Sequence, residues 1–146
     1  RRHTRDIDAF GGLWKVMPIF GTVMLIVSLS SMGLPGLNGF IGEFAILLGA
    51  FGSTAIGSPW FAGLASAGVI MAAIYILYMF QKIFLGPEGS IVKEVKEHGH
   101  SLRDLNWREI VIMAPLLVLI FWIGLYPKPF FELMAPAVEK LLVAFH

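Results

Sequence analysis

Cysteine is absent from the 146 residues. Disulfides, thiolate-ligated iron–sulfur clusters and cysteine-type zinc sites are therefore excluded. Charge is scarce too: Asp, Glu, Lys and Arg make up 14% of the chain, against about 25% in a soluble domain. The net charge is +1, and no basic stripe alternates with aromatics, so nothing supports nucleic-acid binding. No nucleophile–base pair or phosphate loop appears, which removes the soluble-enzyme classes. The first residue is Arg, and RRHTRDIDAFGGL is charged and loop-like rather than a signal peptide. The reading is a segment of a longer protein whose earlier spans precede Arg1.

What the chain does have is apolar sequence: 57% hydrophobic residues and a mean hydropathy of +0.77. That is too apolar for a soluble domain and too long for a single anchor, so an all-α, multi-pass membrane protein is expected. The organisation predicted is a polar loop (1–15), three transmembrane helices over 16–84 with a break near 33–39, an extramembrane loop (85–109), a fourth transmembrane helix (110–127) and an amphipathic C-terminal segment (128–146). The first two spans, 16–32 and 35–51, are short for a hydrocarbon core of about 30 Å.

One stretch organises the rest: LPGLNGFIGEFAILL, from Leu34 to Leu48. Glu43 within it is the one Asp, Glu, Lys, Arg or His between Val16 and Gln81. An ionised carboxylate there costs about 2.5–3.5 kcal/mol even on lenient insertion scales. A buried partner, a water-filled pocket or a proton must offset that cost. Gly33, Pro35, Gly36 and Gly39 interrupt the helix just before it. With Pro35 in the first turn of the second span, Glu43 sits eight residues on, about 12 Å into the membrane. Asn38 adds a polar amide nearby. A broken helix beside a buried ionisable group is a common build for an ion-handling site. Tyr75, Tyr78 and serines of neighbouring spans are candidates to hold bridging water. Lys82, near the end of the third span, reads as a snorkelling anchor whose stem carries its ammonium to the interface. The bland reading of Glu43 is a hydrogen-bonded carboxyl that fixes packing.

His98 and His100 lie in the loop beside Glu97, but their spacing fits no standard metal-ligand pattern. After Pro127 and Pro129 the tail places Phe131, Met134, Val138, Leu142 and Phe145 at helical spacing, a face expected to meet lipid headgroups or a partner subunit. With four spans both termini share a side, and six Lys and Arg stand against five across the membrane. That balance does not orient the chain.

HTRDIDAFGGLWKVMP, GLPGLNGFIGEFAIL, and SLRDL followed by an apolar span ending in GLYPKP together resemble the subunit M family of bacterial NADH–quinone oxidoreductase (complex I), in its C-terminal part. Mitochondrial subunit 4 belongs to the same family. The resemblance covers nearly the whole chain, with the motifs in order. It implies the last four helices of a fourteen-helix, antiporter-like, proton-translocating subunit in the bacterial cytoplasmic membrane. It also implies that Glu43 is the family's ionisable residue on a discontinuous helix, with Pro35, Gly36, Asn38, Gly39, Tyr75 and Lys82 in support. No cofactor is expected in this chain; FMN and iron–sulfur clusters would belong to partner subunits. The partners implied are adjacent antiporter-like membrane subunits and the bilayer. A subunit of a multisubunit cation/proton antiporter or membrane-bound hydrogenase is the alternative, although those relatives usually carry Lys where this chain has Glu43. A non-catalytic scaffold is the third reading, and it predicts a silent Glu43→Gln.

Overall fold

The structure, a computed structural model, describes residues 6–53, 58–97 and 102–144. Among these every regular element is helical. α1 is Pro18–Ser31, α2 Asn38–Gly52, α3 Trp60–Phe80, α4 Ser90–Glu97, α5 Trp107–Leu125 and α6 Lys128–Ala144. Two 3-10 turns, Ile7–Phe10 and Leu13–Lys15, precede α1, and a π-helical turn, Gln81–Leu85, extends α3.

Two helical segments are individually long and apolar enough to cross a membrane: Trp60–Glu97 and Trp107–Leu125. A third results if the lead-in turns and α1, bent by 111°, are taken as one. α1 and α2 have 14 and 15 residues, so each is about 21–22 Å long and stops short of a hydrocarbon core. Their neighbours show how they combine. The end of α3 and its π-helical turn pack on the lead-in and the start of α1, where Phe80 meets Trp14 of the Leu13–Lys15 turn (ring centroids 5.9 Å apart) and Phe84 meets Phe20 (5.8 Å). The start of α3 lies beside the end of α2, with Phe44, Leu47, Leu48 and Phe51 sharing a pocket with Pro59, Ala62, Gly63 and Ser66. α1 and α2 therefore run end to end along α3, as two halves of one discontinuous crossing. The break falls between two half-length helices rather than inside a full-length second span.

That geometry changes the charge count. With α1 and α2 taken together as one crossing beside α3 and α5, the lead-in and α6 fall on opposite sides. The lead-in joins the α3–α5 connection on one side: Lys82 Nζ lies 3.0 Å from Asp8 Oδ1, Lys15 and Lys96 both reach Glu88 (3.6 and 2.6 Å), and Gly89 N–H donates to Gly11 O at 2.9 Å. Among the described residues the lead-in and connection carry Lys15, Lys82, Lys93, Lys96, Arg103 and Arg108, whereas Lys128 and Lys140 lie beyond α5.

The connection is not a bare loop. α4 buries Ile91, Val92 and Val95, and Val92 joins Leu13, Phe80 and Phe84 in the core. Spacing of i, i+1 and i+4 in IVKEV is the signal for this short amphipathic helix. His98 and His100 lie outside the described residues, as does Phe145. Phe131, Met134, Val138 and Leu142 all lie on α6 and are exposed within this chain.

A long-range cap fastens the segment just before α5 to α1. Asp104 Oδ2 accepts the Ile19 N–H (2.7 Å) and Oδ1 accepts the Phe20 N–H (3.0 Å), both in the first turn of α1. Leu105 N–H also donates to Oδ1, at 2.8 Å. Desolvation opposes ionisation of Asp104, but the three backbone donors outweigh it and hold the carboxyl below its ordinary value of 3.8. A lowered carboxylate contributes stability above the unfolded-state value and loses it as pH falls through the folded one. Asp104→Ala should cost about 0.5–1 kcal/mol, the low end for a cap because the site is partly solvated. Thermal melts of wild type and variant should converge below the ordinary carboxylate range and separate at neutral pH.

Candidate functional site

The connection between α1 and α2 is built from two standard turns in sequence. α1 ends in a Schellman motif: Leu34 N–H donates to Leu29 O and Gly33 N–H to Ser30 O, both at 3.1 Å. The motif needs a left-handed residue at its C′ position, and Gly33 supplies it at φ +71°. A turn follows, closed by Leu37 N–H to Leu34 O at 3.1 Å. Pro35 and Gly36 are its central residues, and Gly36 has φ +95°. Proline then a positive-φ glycine is the type II pattern. α2 starts only at Asn38, so Pro35 shapes the turn instead of opening the helix as expected. The positive φ of Gly36 lies outside the right-handed helical region, so the helix starts only after it.

The two turns fold the chain back, so α2 begins beside the last turn of α1. A Cβ placed on Gly39 would fall on the Ser30 carbonyl oxygen, so the two backbones touch there. Ser30, which is buried, donates its hydroxyl to Asn38 Oδ1 across the seam. One turn beyond Gly39 stands Glu43, whose carboxyl lies over Gly33. Taking Gly39 as level with Ser30, Glu43 is about 24 Å along a crossing of about 37 Å. It is half-buried in this chain rather than fully buried.

α5 closes the seam from the other side. Gly124 is buried, and a Cβ on it would fall on Gly36 O and C and on Leu37 Cα. Above this contact, Ile26, Leu29, Leu34, Leu37, Phe121 and Leu125 help line an apolar pocket of ≈ 330 Å³.

The sequence-predicted residues thus divide. Pro35, Gly36, Asn38 and Gly39 build the seam that positions Glu43. Tyr75 is 64% exposed and lies nine residues along α3 from Ser66, which shares the α2–α3 pocket with Phe44; that is about 13 Å by helical rise. Lys82 sits in the π turn at the end of α3, paired with Asp8 and 5.7 Å from the Tyr78 ring. Among the described residues no ion pair reaches Glu43. Ser30 and Gly124 escaped sequence reading. A serine in a hydroxyl-rich run carries no mark of its partner, and one helical glycine resembles another until its neighbour is known.

Residues 1–71 match the family described as NADH:quinone oxidoreductase/Mrp antiporter, TM. The chain is 36% identical over 146 residues to NADH-quinone oxidoreductase subunit M of Rhodobacter capsulatus, covering 100% of this chain and 27% of that protein. It is 38% identical over 144 residues to NADH-ubiquinone oxidoreductase chain 4 of Marchantia polymorpha, covering 97% and 27%. A chain in the structure of respiratory complex I from Thermus thermophilus with bound NADH matches with a TM-score of 0.76 and 37% identity, covering 96% of this chain and 27% of that one. The chain therefore spans about a quarter of the length of these relatives. An antiporter-like, all-helical membrane segment with this seam and this similarity belongs to the subunit M (chain 4) family of NADH–quinone oxidoreductase.

Proposed function

We propose that this chain is the C-terminal part of a proton-translocating membrane subunit of NADH–quinone oxidoreductase, and that Glu43 takes up and releases the proton. The observation that carries the reading is the position of Glu43. The one ionisable residue in a long apolar stretch stands one turn past a helix seam, and an ionisable group within a membrane span is functional by default. Ser30, Asn38, Gly39 and the two positive-φ glycines hold the seam, so the carboxyl is presented by a fixed backbone. The counter-charge is a lysine from a helix outside this chain; its approach favours the carboxylate, and its withdrawal in a low-dielectric setting favours the acid.

Electron transfer takes place in partner subunits that carry FMN and iron–sulfur clusters. The chain lies in the bacterial cytoplasmic membrane with its lead-in and α4 on the cytoplasmic side, as the six-to-two distribution of the described basic residues favours. The apolar face of α6 rests on lipid or on an adjacent antiporter-like subunit. The full-length protein, tagged and purified from its native membrane in mild detergent, should bring down flavin and rotenone-type quinone-reductase activity. Recovery with other antiporter-like chains but no flavin would favour the cation/proton antiporter reading instead.

A further inference from the structure

We infer that Gly33 is a positioning residue for Glu43: the missing Cβ of Gly33 is the seat in which the Glu43 carboxyl rests. The inference builds on the proton-carrying role proposed above for Glu43. Gly33 has a backbone duty, since the Schellman motif needs its φ of +71°. It also has a second, independent duty. A Cβ built there would fall on Glu43 Oε2, 3.3 Å from Cδ and 3.8 Å from Oε1. Apart from its own chain neighbours, the three heavy atoms nearest that absent Cβ are all Glu43 carboxyl atoms.

These contacts differ from those at the other crowded glycines. At Gly39 and Gly124 the added atom meets backbone, which cannot move cheaply. At Gly33 it meets the end of a flexible side chain, so the helices can stay in place while the carboxyl is pushed aside. Misplacing a reacting group by about 1 Å can cost on the order of 100-fold in rate. The seat therefore sets where the proton is held, with little bearing on whether the protein assembles.

Proton translocation coupled to NADH oxidation, measured in native membrane vesicles of Gly33→Ala, tests this. Gly12→Ala is the control, because Gly12 has the same left-handed backbone (φ +74°) and lies against Glu88, away from Glu43. Gly33→Ala should slow proton translocation by on the order of 100-fold, and Gly12→Ala should not. Adding Glu43→Asp to Gly33→Ala withdraws the carboxyl by about 1.5 Å, one carbon–carbon bond. The double variant should pump more than Gly33→Ala alone. Native pumping by Gly33→Ala, or a double variant no better than the single one, overturns the seat. If Gly33→Ala fails to assemble, the double variant decides: recovery supports the seat and continued failure overturns it. Glu43→Gln in the same vesicles separates the two ideas. Loss in Glu43→Gln with native pumping in Gly33→Ala removes the seat alone, whereas native pumping in Glu43→Gln removes the carrier role itself.

Discussion

Gly124→Ala should destabilise the protein by about 1–3 kcal/mol, the usual range for forcing an extra carbon into a packed contact. Alanine is the better helix former by about 1 kcal/mol, so intrinsic propensity alone would predict a gain. The contact reverses the sign. The added methyl falls on Gly36 O, Gly36 C and Leu37 Cα, and backbone atoms of a hydrogen-bonded turn have no alternative rotamer to adopt. α5 would have to retreat from the seam, opening the side that it closes. Gly63→Ala and Gly68→Ala, at helical glycines with nothing within 4 Å of the added carbon, should be neutral or slightly stabilising. Thermal inactivation of the detergent-extracted protein compares the three. Equal melting of Gly124→Ala and Gly63→Ala would mean that α5 does not hold the seam.

Much of this architecture is legible in residue order. Apolar run length marks α3 and α5 because each exceeds what a soluble helix needs. Gly33, Pro35 and Gly36 announce a break, because a positive φ and a missing N–H have few other uses in an apolar run. Run length misleads at α1 and α2. Two apolar runs of near-minimal length look like two spans, and only the contact of Gly39 with Ser30 and the antiparallel course of α3 make them one crossing. Orientation was hidden for the same reason: the basic residues divide evenly across four spans and unevenly across three. Asp104 was unreadable as a cap, since its partners Ile19 and Phe20 lie 85 and 84 residues away, whereas local capping by Asn106 and Glu109 at α5 follows a short sequence pattern. Glu43 stood out by solitude, but nothing in sequence pairs it with Gly33.

Glu43→Gln keeps the shape of the side chain and removes its capacity to carry a proton. Its hydrogen-bonding end remains, so a role limited to packing would survive the change with native behaviour. A role in proton transfer would not, because a positioned acid–base group contributes about 100-fold or more to the step it serves. Glu43→Asp retains the acid at the cost of reach and should keep part of the activity. Gly33, Ser30 and Asn38 fix the surrounding backbone in either case, so assembly and NADH oxidation by uncoupled membranes should remain near native in both variants. The decisive measurement is the number of protons translocated per NADH oxidised in vesicles carrying Glu43→Gln in the full-length protein. The account predicts a fall of about tenfold or more with the protein assembled; a native ratio would contradict it and leave Glu43 as a packing residue.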